Sequence, residues 1–187
     1  MSTIAMAKKN GYVAISCDSG STYKSVPNQS YVSNESNIIK ISNTFYLAIN
    51  GSSHCRMAIE DYFLSSAKED DFNNIPTIFH NWVEFYEVLE RKYRLKQENM
   101  ELTDVVIANS HGIFGIAFRN VREYSQFYSF GDGRYFALGA MYVGYQDPNK
   151  TAEDVARIGV ETACAFFTGI DPIYSHSIKL IDVDKTK

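Results

Sequence analysis

The opening of the chain, Ser2 to Asp18, constrains the fold more than any other stretch. Two short apolar runs, Ile4-Ala5-Met6-Ala7 and Tyr12-Val13-Ala14-Ile15, flank Lys8-Lys9-Asn10-Gly11. Asn-Gly suits a two-residue hairpin turn, because both central positions need positive φ. An antiparallel hairpin of equal arms brings its far ends together. Asp18, at the end of the second arm, is therefore folded back toward the start of the chain. If Met1 is removed, that start is a serine with a hydroxyl and a free α-amine. A nucleophile, a potential base and an acid then share one small space.

With 187 residues, 45% of them hydrophobic and 21% charged, the chain reads as a single soluble domain over 1–187. A chain of this length buries about 70% of its unfolded surface. The 13 Tyr and 12 Phe suit sheets and subunit interfaces. A net charge of -4 and the lack of a basic tract give no electrostatic case for nucleic acid or an anionic membrane. Cys17, Cys55 and Cys164 are too far apart for a CxxC pair or a zinc site. Buried thiols in a reducing, cytoplasmic setting are the reading. No uninterrupted apolar segment follows Lys8 and Lys9, so no signal peptide is expected. No run approaches the roughly 20 residues that span a bilayer.

Downstream of a turn-rich stretch (19–30), Ile38–Ile41 and Phe45–Ile49 read as strands. Asn50-Gly51-Ser52-Ser53 breaks the second and offers caps for a helix carrying Met57, Ile59, Phe63 and Leu64. A longer helix from Pro76 to Leu95 has Ile78, Phe79, Trp82, Val83, Phe85, Tyr86 and Leu89 at helical spacing, a core or interface face. Asp104–Asn109 and Ile113–Phe118 form a second hairpin, with Glu123 to Phe130 expected to pair beside it. Gly131-Asp132-Gly133 leads into a helix with Phe136, Leu138, Met141 and Val143. Thr151 caps a last helix running to Phe167, and Ser177–Val183 reads as the closing strand. Grouped strands argue against a parallel βαβ fold. An α+β, four-layer α/β/β/α sandwich of two antiparallel sheets between helix pairs fits better.

Four pieces in this order carry a resemblance: the Ser2–Asp18 opening, Gly51 after an apolar strand, the segment Phe130-Gly131-Asp132-Gly133-Arg134-Tyr135-Phe136-Ala137-Leu138-Gly139-Ala140-Met141, and Asp171 before the last strand. Together they resemble the proteasome β-type family and its bacterial proteasome-like members, N-terminal nucleophile hydrolases. The resemblance implies peptide-bond hydrolysis by Ser2 once Met1 is gone, with the α-amine as the base. An α-amine titrates at about 7.7–8.0, so it can accept a proton near neutrality where a lysine cannot. By matching position, Asp18 orients the site, the Gly51 backbone N–H stabilises the oxyanion, and Asp171 supports the N-terminal residue. Ser175 takes the part of a family serine after a one-residue shift. The resemblance also implies a homo-oligomeric ring acting on peptides or unfolded protein, with an unfolding ATPase as a candidate partner, without cofactor or metal.

Two positions depart from the pattern. The family's catalytic lysine falls at Asn37, and the nearest lysine, Lys40, is an odd number of residues on, which points it to the other face of a strand. Neutral Asn cannot supply the charge that lowers a nucleophile's proton affinity. Asp132 stands where the family places a serine, adding a third acid, so that either one carboxyl binds a proton, a metal or Arg134 or the site does not work as its relatives do. These departures make a catalytically inactive scaffold subunit the alternative reading; amide hydrolysis on a small molecule is a third, because the same N-terminal chemistry serves amidases on related sandwiches. His54, His80, His111 and His176 show no metal spacing, no G-x-S-x-G elbow exists, and Gly131-Asp132-Gly133-Arg134 is too short for a phosphate loop.

Overall fold

The computed structural model describes residues 3–18, 36–66, 68–96, 103–117, 120–168 and 173–180. They fall into two compact units, one of residues 1–38 with 126–177 and the other of residues 39–125 with 178–187. The described residues form two antiparallel sheets and four α-helices, the α+β composition that the grouped strands predict.

In the first unit, β1 (Thr3–Lys9) and β2 (Tyr12–Asp18) are the central pair of a four-stranded sheet ordered β8-β1-β2-β9. Their turn has φ of 51° at Asn10 and 77° at Gly11, the left-handed pair that Asn-Gly supplies at low steric cost. The register runs from Ile4 opposite Cys17 to Lys9 opposite Tyr12. The flanking strands are β8 (Phe127–Gly131) and β9 (Ile173–Lys179). Ala5, Ala7 and Ala14 of this sheet pack against helices α3 (Arg134–Gln146) and α4 (Ala152–Ala163). Small side chains let these layers approach closely. A Cβ on Gly159 of α4 would come within 2.7 Å of Met141 of α3, so any larger residue there requires the Met141 side chain to shift.

Helix α4 starts as its sequence predicts. The Thr151 hydroxyl accepts the Asp154 N–H at 3.1 Å, and the Asp154 carboxylate accepts the Thr151 N–H at 2.8 Å. This capping box satisfies two N–H groups that the helix leaves unpaired. Thr151→Ala is expected to cost about 1 kcal/mol, read as a lower urea midpoint at an unchanged slope.

The second unit holds the sheet β3-β4-β5-β6-β7, built from Ile38–Lys40, Phe45–Asn50, Asp104–Asn109, Gly112–Ala117 and Asn120–Glu123. Helices α1 (Ser53–Ser66) and α2 (Ile75–Tyr93) cover it with an aromatic core of Phe45, Phe63, Phe72, Trp82 and Phe85. Asn74 caps α2 through the Thr77 N–H at 3.0 Å, and Pro76 sits in its first turn. On α2 only Ile78, Trp82, Phe85 and Leu89 are buried, while Phe79 and Val83 are exposed. On α1, Ile59 and Phe63 face the core and Met57 and Leu64 do not.

Two expectations about strands are corrected. The run from Glu123 to Phe130 is not one strand, because residues 124–126 interrupt it. Its start, β7, pairs with β6, and its end, β8, pairs with β1 in the other sheet, Ile4 opposite Phe130. The closing strand occupies Ile173–Lys179, earlier than the expected Ser177–Val183, of which 181–183 lie outside the described residues.

Candidate active site

The hairpin register sets the geometry at the start of β1. One step beyond the Ile4–Cys17 pair, Thr3 meets Asp18. The Thr3 backbone N–H donates to Asp18 Oδ2 at 3.1 Å, and both residues are fully buried. That N–H belongs to the peptide unit joining Ser2 to Thr3, so Asp18 grips the chain directly next to the expected nucleophile. Ser2 itself and Asp171 lie outside the described residues.

On its other side, Thr3 pairs with Gly131, the last residue of β8, whose φ of 87° lets the chain turn toward α3. Ser129 strengthens this pairing from a buried position, its hydroxyl donating to the Ile4 carbonyl at 2.8 Å. Asp132 follows in the turn and is exposed, in contrast to the buried Asp18. The Arg134 guanidinium donates to the Gly131 carbonyl and to the Tyr135 hydroxyl, each at 3.2 Å, and lies 4.6 Å from the Tyr135 ring centre. The Tyr135 contact raises its proton affinity above the usual value, with Asp132 a minor contributor.

Asn37 is buried, and its Nδ2 donates to the Asp18 backbone carbonyl at 3.4 Å, a long hydrogen bond. A neutral amide thus stands at the position to which the sequence resemblance assigns a lysine. Lys40, at the end of β3, is exposed. Ser175 on β9 pairs with Ser16 on β2, hydroxyl to hydroxyl at 2.8 Å. In the second unit, Gly51 directly follows β4, and a Cβ there would come within 2.5 Å of Thr103 Oγ1 and 2.8 Å of its Cγ2. The backbone at Gly51 therefore needs glycine for a close approach. Sequence reasoning missed Thr3 and Gly133. The only signal for either was the small-residue turn Gly131-Asp132-Gly133.

Cys17 neighbours Asp18, but burial pushes its thiol up from 9.0 to about 11, only partly offset by a hydrogen bond with Ser36 and by backbone N–H groups. Near neutrality it is a protonated core group, not a nucleophile. Its folded value lies above its unfolded one, so its contribution to stability is fully present below pH 9.0 and is lost as pH rises toward about 11. The loss is on the order of 2–3 kcal/mol. Unfolding titrations across that window are expected to show a steeper loss for the natural chain than for Cys17→Ala. Among the described residues no cluster of His, Cys, Asp and Glu could hold a metal, and no helix is long and apolar enough to cross a membrane.

No family model and no curated protein sequence matches this chain. Solved structures do. The chain is similar to Thiobacillus denitrificans BPH, a bacterial proteasome homologue, with 35% identity and a TM-score of 0.85 over 96% of this chain and 99% of that one. It is equally similar, at 34% identity and the same TM-score and coverage, to that protein's structure in complex with epoxomicin. HslV from Trypanosoma brucei matches at 16% identity and a TM-score of 0.64 over 95% of this chain and 99% of that one, a likeness of fold. A shared fold spanning nearly the whole chain, at an identity of about one residue in three, places this chain in the proteasome β-type family, beside the bacterial proteasome homologues.

Proposed function

We propose that this chain is a proteasome-type peptidase whose nucleophile is Ser2, freed by removal of Met1, and that it works within a homo-oligomeric ring. The observation that carries this reading is the grip of buried Asp18 on the Ser2–Thr3 peptide unit. A carboxylate completely withdrawn from water is costly unless it is held by donors. Spending one at the head of β1 fits a need to fix the chain end in place.

In the proposed reaction, Ser2 Oγ attacks a peptide carbonyl while the α-amine accepts the hydroxyl proton. The amine then returns that proton to the departing amine of the substrate, leaving an acyl ester on Ser2. Water, activated by the same amine, hydrolyses the ester and restores the serine. The Gly51 backbone N–H serves the developing oxyanion. A free α-amine ordinarily titrates at about 7.7–8.0. Peptide turnover is therefore expected to rise with pH and level off above about 8. The epoxomicin complex of the T. denitrificans protein makes that compound a suitable first probe. Peptides or unfolded protein, delivered by an unfolding ATPase, are the proposed substrates.

A second reading, a ring subunit that keeps the fold without the chemistry, draws support from Asn37, a buried neutral amide at the family's lysine position. Intact mass and turnover together separate the two. The catalytic reading expects a chain lighter by one methionine that cleaves members of a broad fluorogenic peptide panel. A cellular protein that retains Met1 has no free Ser2 amine, and the mechanism is then excluded.

A further inference from the structure

We infer that Thr3 is a positioning residue for the residue-2 nucleophile and that Gly133 is the steric seat that holds it. The inference rests on the Ser2 reading but is drawn from a separate contact. The first residues of a chain are commonly poorly ordered unless something ties them down. Here Thr3 has no solvent exposure and is held by four elements. Asp18 of β2 takes its N–H, and Gly131 of β8 lies opposite it in the sheet. Gly133, at the entrance to α3, and Ala163, at the end of α4, close around its side chain.

The fit at Gly133 leaves no room for any other residue. A Cβ built there would fall on Thr3 Oγ1 and within 2.8 Å of the Ala163 Cβ. Separations under 3.0 Å require something to move, and here the neighbours are the start of β1 and the end of a helix. The Thr3 hydroxyl thus fills the space that a side chain at position 133 would need. That hydroxyl has no hydrogen-bond partner although it is fully buried. An unpaired buried hydroxyl is normally a net loss. This oxygen instead lies at the N-cap of a 13-residue helix whose cap residue has no side chain, in the positive field of the helix start. Its shape and its place, more than any hydrogen bond, explain what it does. It locks β1 laterally, one planar peptide unit from Ser2, and a planar unit held at its nitrogen limits where its other end can go.

Shape-based positioning makes a sharp pattern of variants. Thr3→Val keeps the branched shape and is expected to retain the natural kcat. Thr3→Ala, which empties the contact, and Gly133→Ala, which invades it, are each expected to lower kcat by about tenfold or more with KM unchanged. The NMR signal of the Ser2 β-carbon, assigned by its disappearance in Ser2→Ala, is expected to move or split in those two variants and to stay in place in Thr3→Val. If Gly133→Ala does not fold, Thr3→Ala carries the test alone. Wild-type kcat with an unmoved Ser2 signal in Thr3→Ala overturns the inference. So does a loss in which KM, Tm and kcat worsen together. If no variant, and not even the natural protein, turns over peptide while the Ser2 signal still follows this pattern, the peptidase reading falls and the positioning inference stands.

Discussion

Ser2→Ala is expected to abolish peptide turnover, lowering kcat by roughly a thousandfold or more, because in the proposed reaction this residue supplies the atom that becomes bonded to substrate. The fold is expected to survive, since the hairpin, both sheets and the helix pairs are set by residues from Thr3 onward. Ser2→Thr provides the control. It preserves hydroxyl and amine, so it retains turnover, whereas a role for Ser2 as a mere chain end predicts equal behaviour for both variants. Steady-state kinetics on one fluorogenic peptide, with the unfolding midpoint measured in parallel, is sufficient. Equal rates for Ser2→Ala and the natural protein contradict the assignment.

The second large effect concerns Asp18. Removing its carboxylate in Asp18→Ala leaves the Thr3 N–H buried without its acceptor. Hydrogen bonds to charged groups contribute about 1.5–3 kcal/mol, and a buried donor left unpaired costs a comparable amount. A stability loss of about 2–3 kcal/mol is expected by urea unfolding, with kcat reduced by about two orders of magnitude. Asp18→Asn separates the two roles, because its Oδ1 can still accept from Thr3 while the charge is gone. It is expected to recover most of the stability and little of the activity. Full activity in Asp18→Asn means that the carboxylate's charge has no part in the chemistry.

Both effects trace to a part of the chain that was legible from residues alone. Asn10-Gly11 dictates a hairpin with two left-handed residues, and the equal arms carry Asp18 back to the start, where it is found against Thr3. The Thr151–Asp154 capping box was equally readable, because a cap is a local contract between residues three apart. What could not be read depended on distant contacts. Thr3 and Gly133 are 130 positions apart, and they meet only because β8 pairs with β1. That pairing was hidden by Glu123–Phe130, which reads as one run although Glu123 ends β7 of one sheet and Phe127–Phe130 belong to β8 of the other. Helical periodicity likewise marked Phe79, Val83, Met57 and Leu64 as apolar positions without saying which side would be covered. The place of Asn37 follows from its spacing to Gly51 along the chain. Its burial, and its amide on the Asp18 carbonyl, needed coordinates.

In the proposed reaction the base is the chain's own α-amine, with no lysine expected at Asn37 to assist it. The most direct test is covalent. The natural protein is incubated with epoxomicin and with an electrophilic peptide, digested, and the modified residue is mapped by mass spectrometry. A single adduct is expected on the N-terminal peptide at Ser2, lost in Ser2→Ala and formed faster as pH rises toward about 8. An unmodified Ser2 in folded, Met1-free protein, or an adduct at another residue that survives Ser2→Ala, contradicts it.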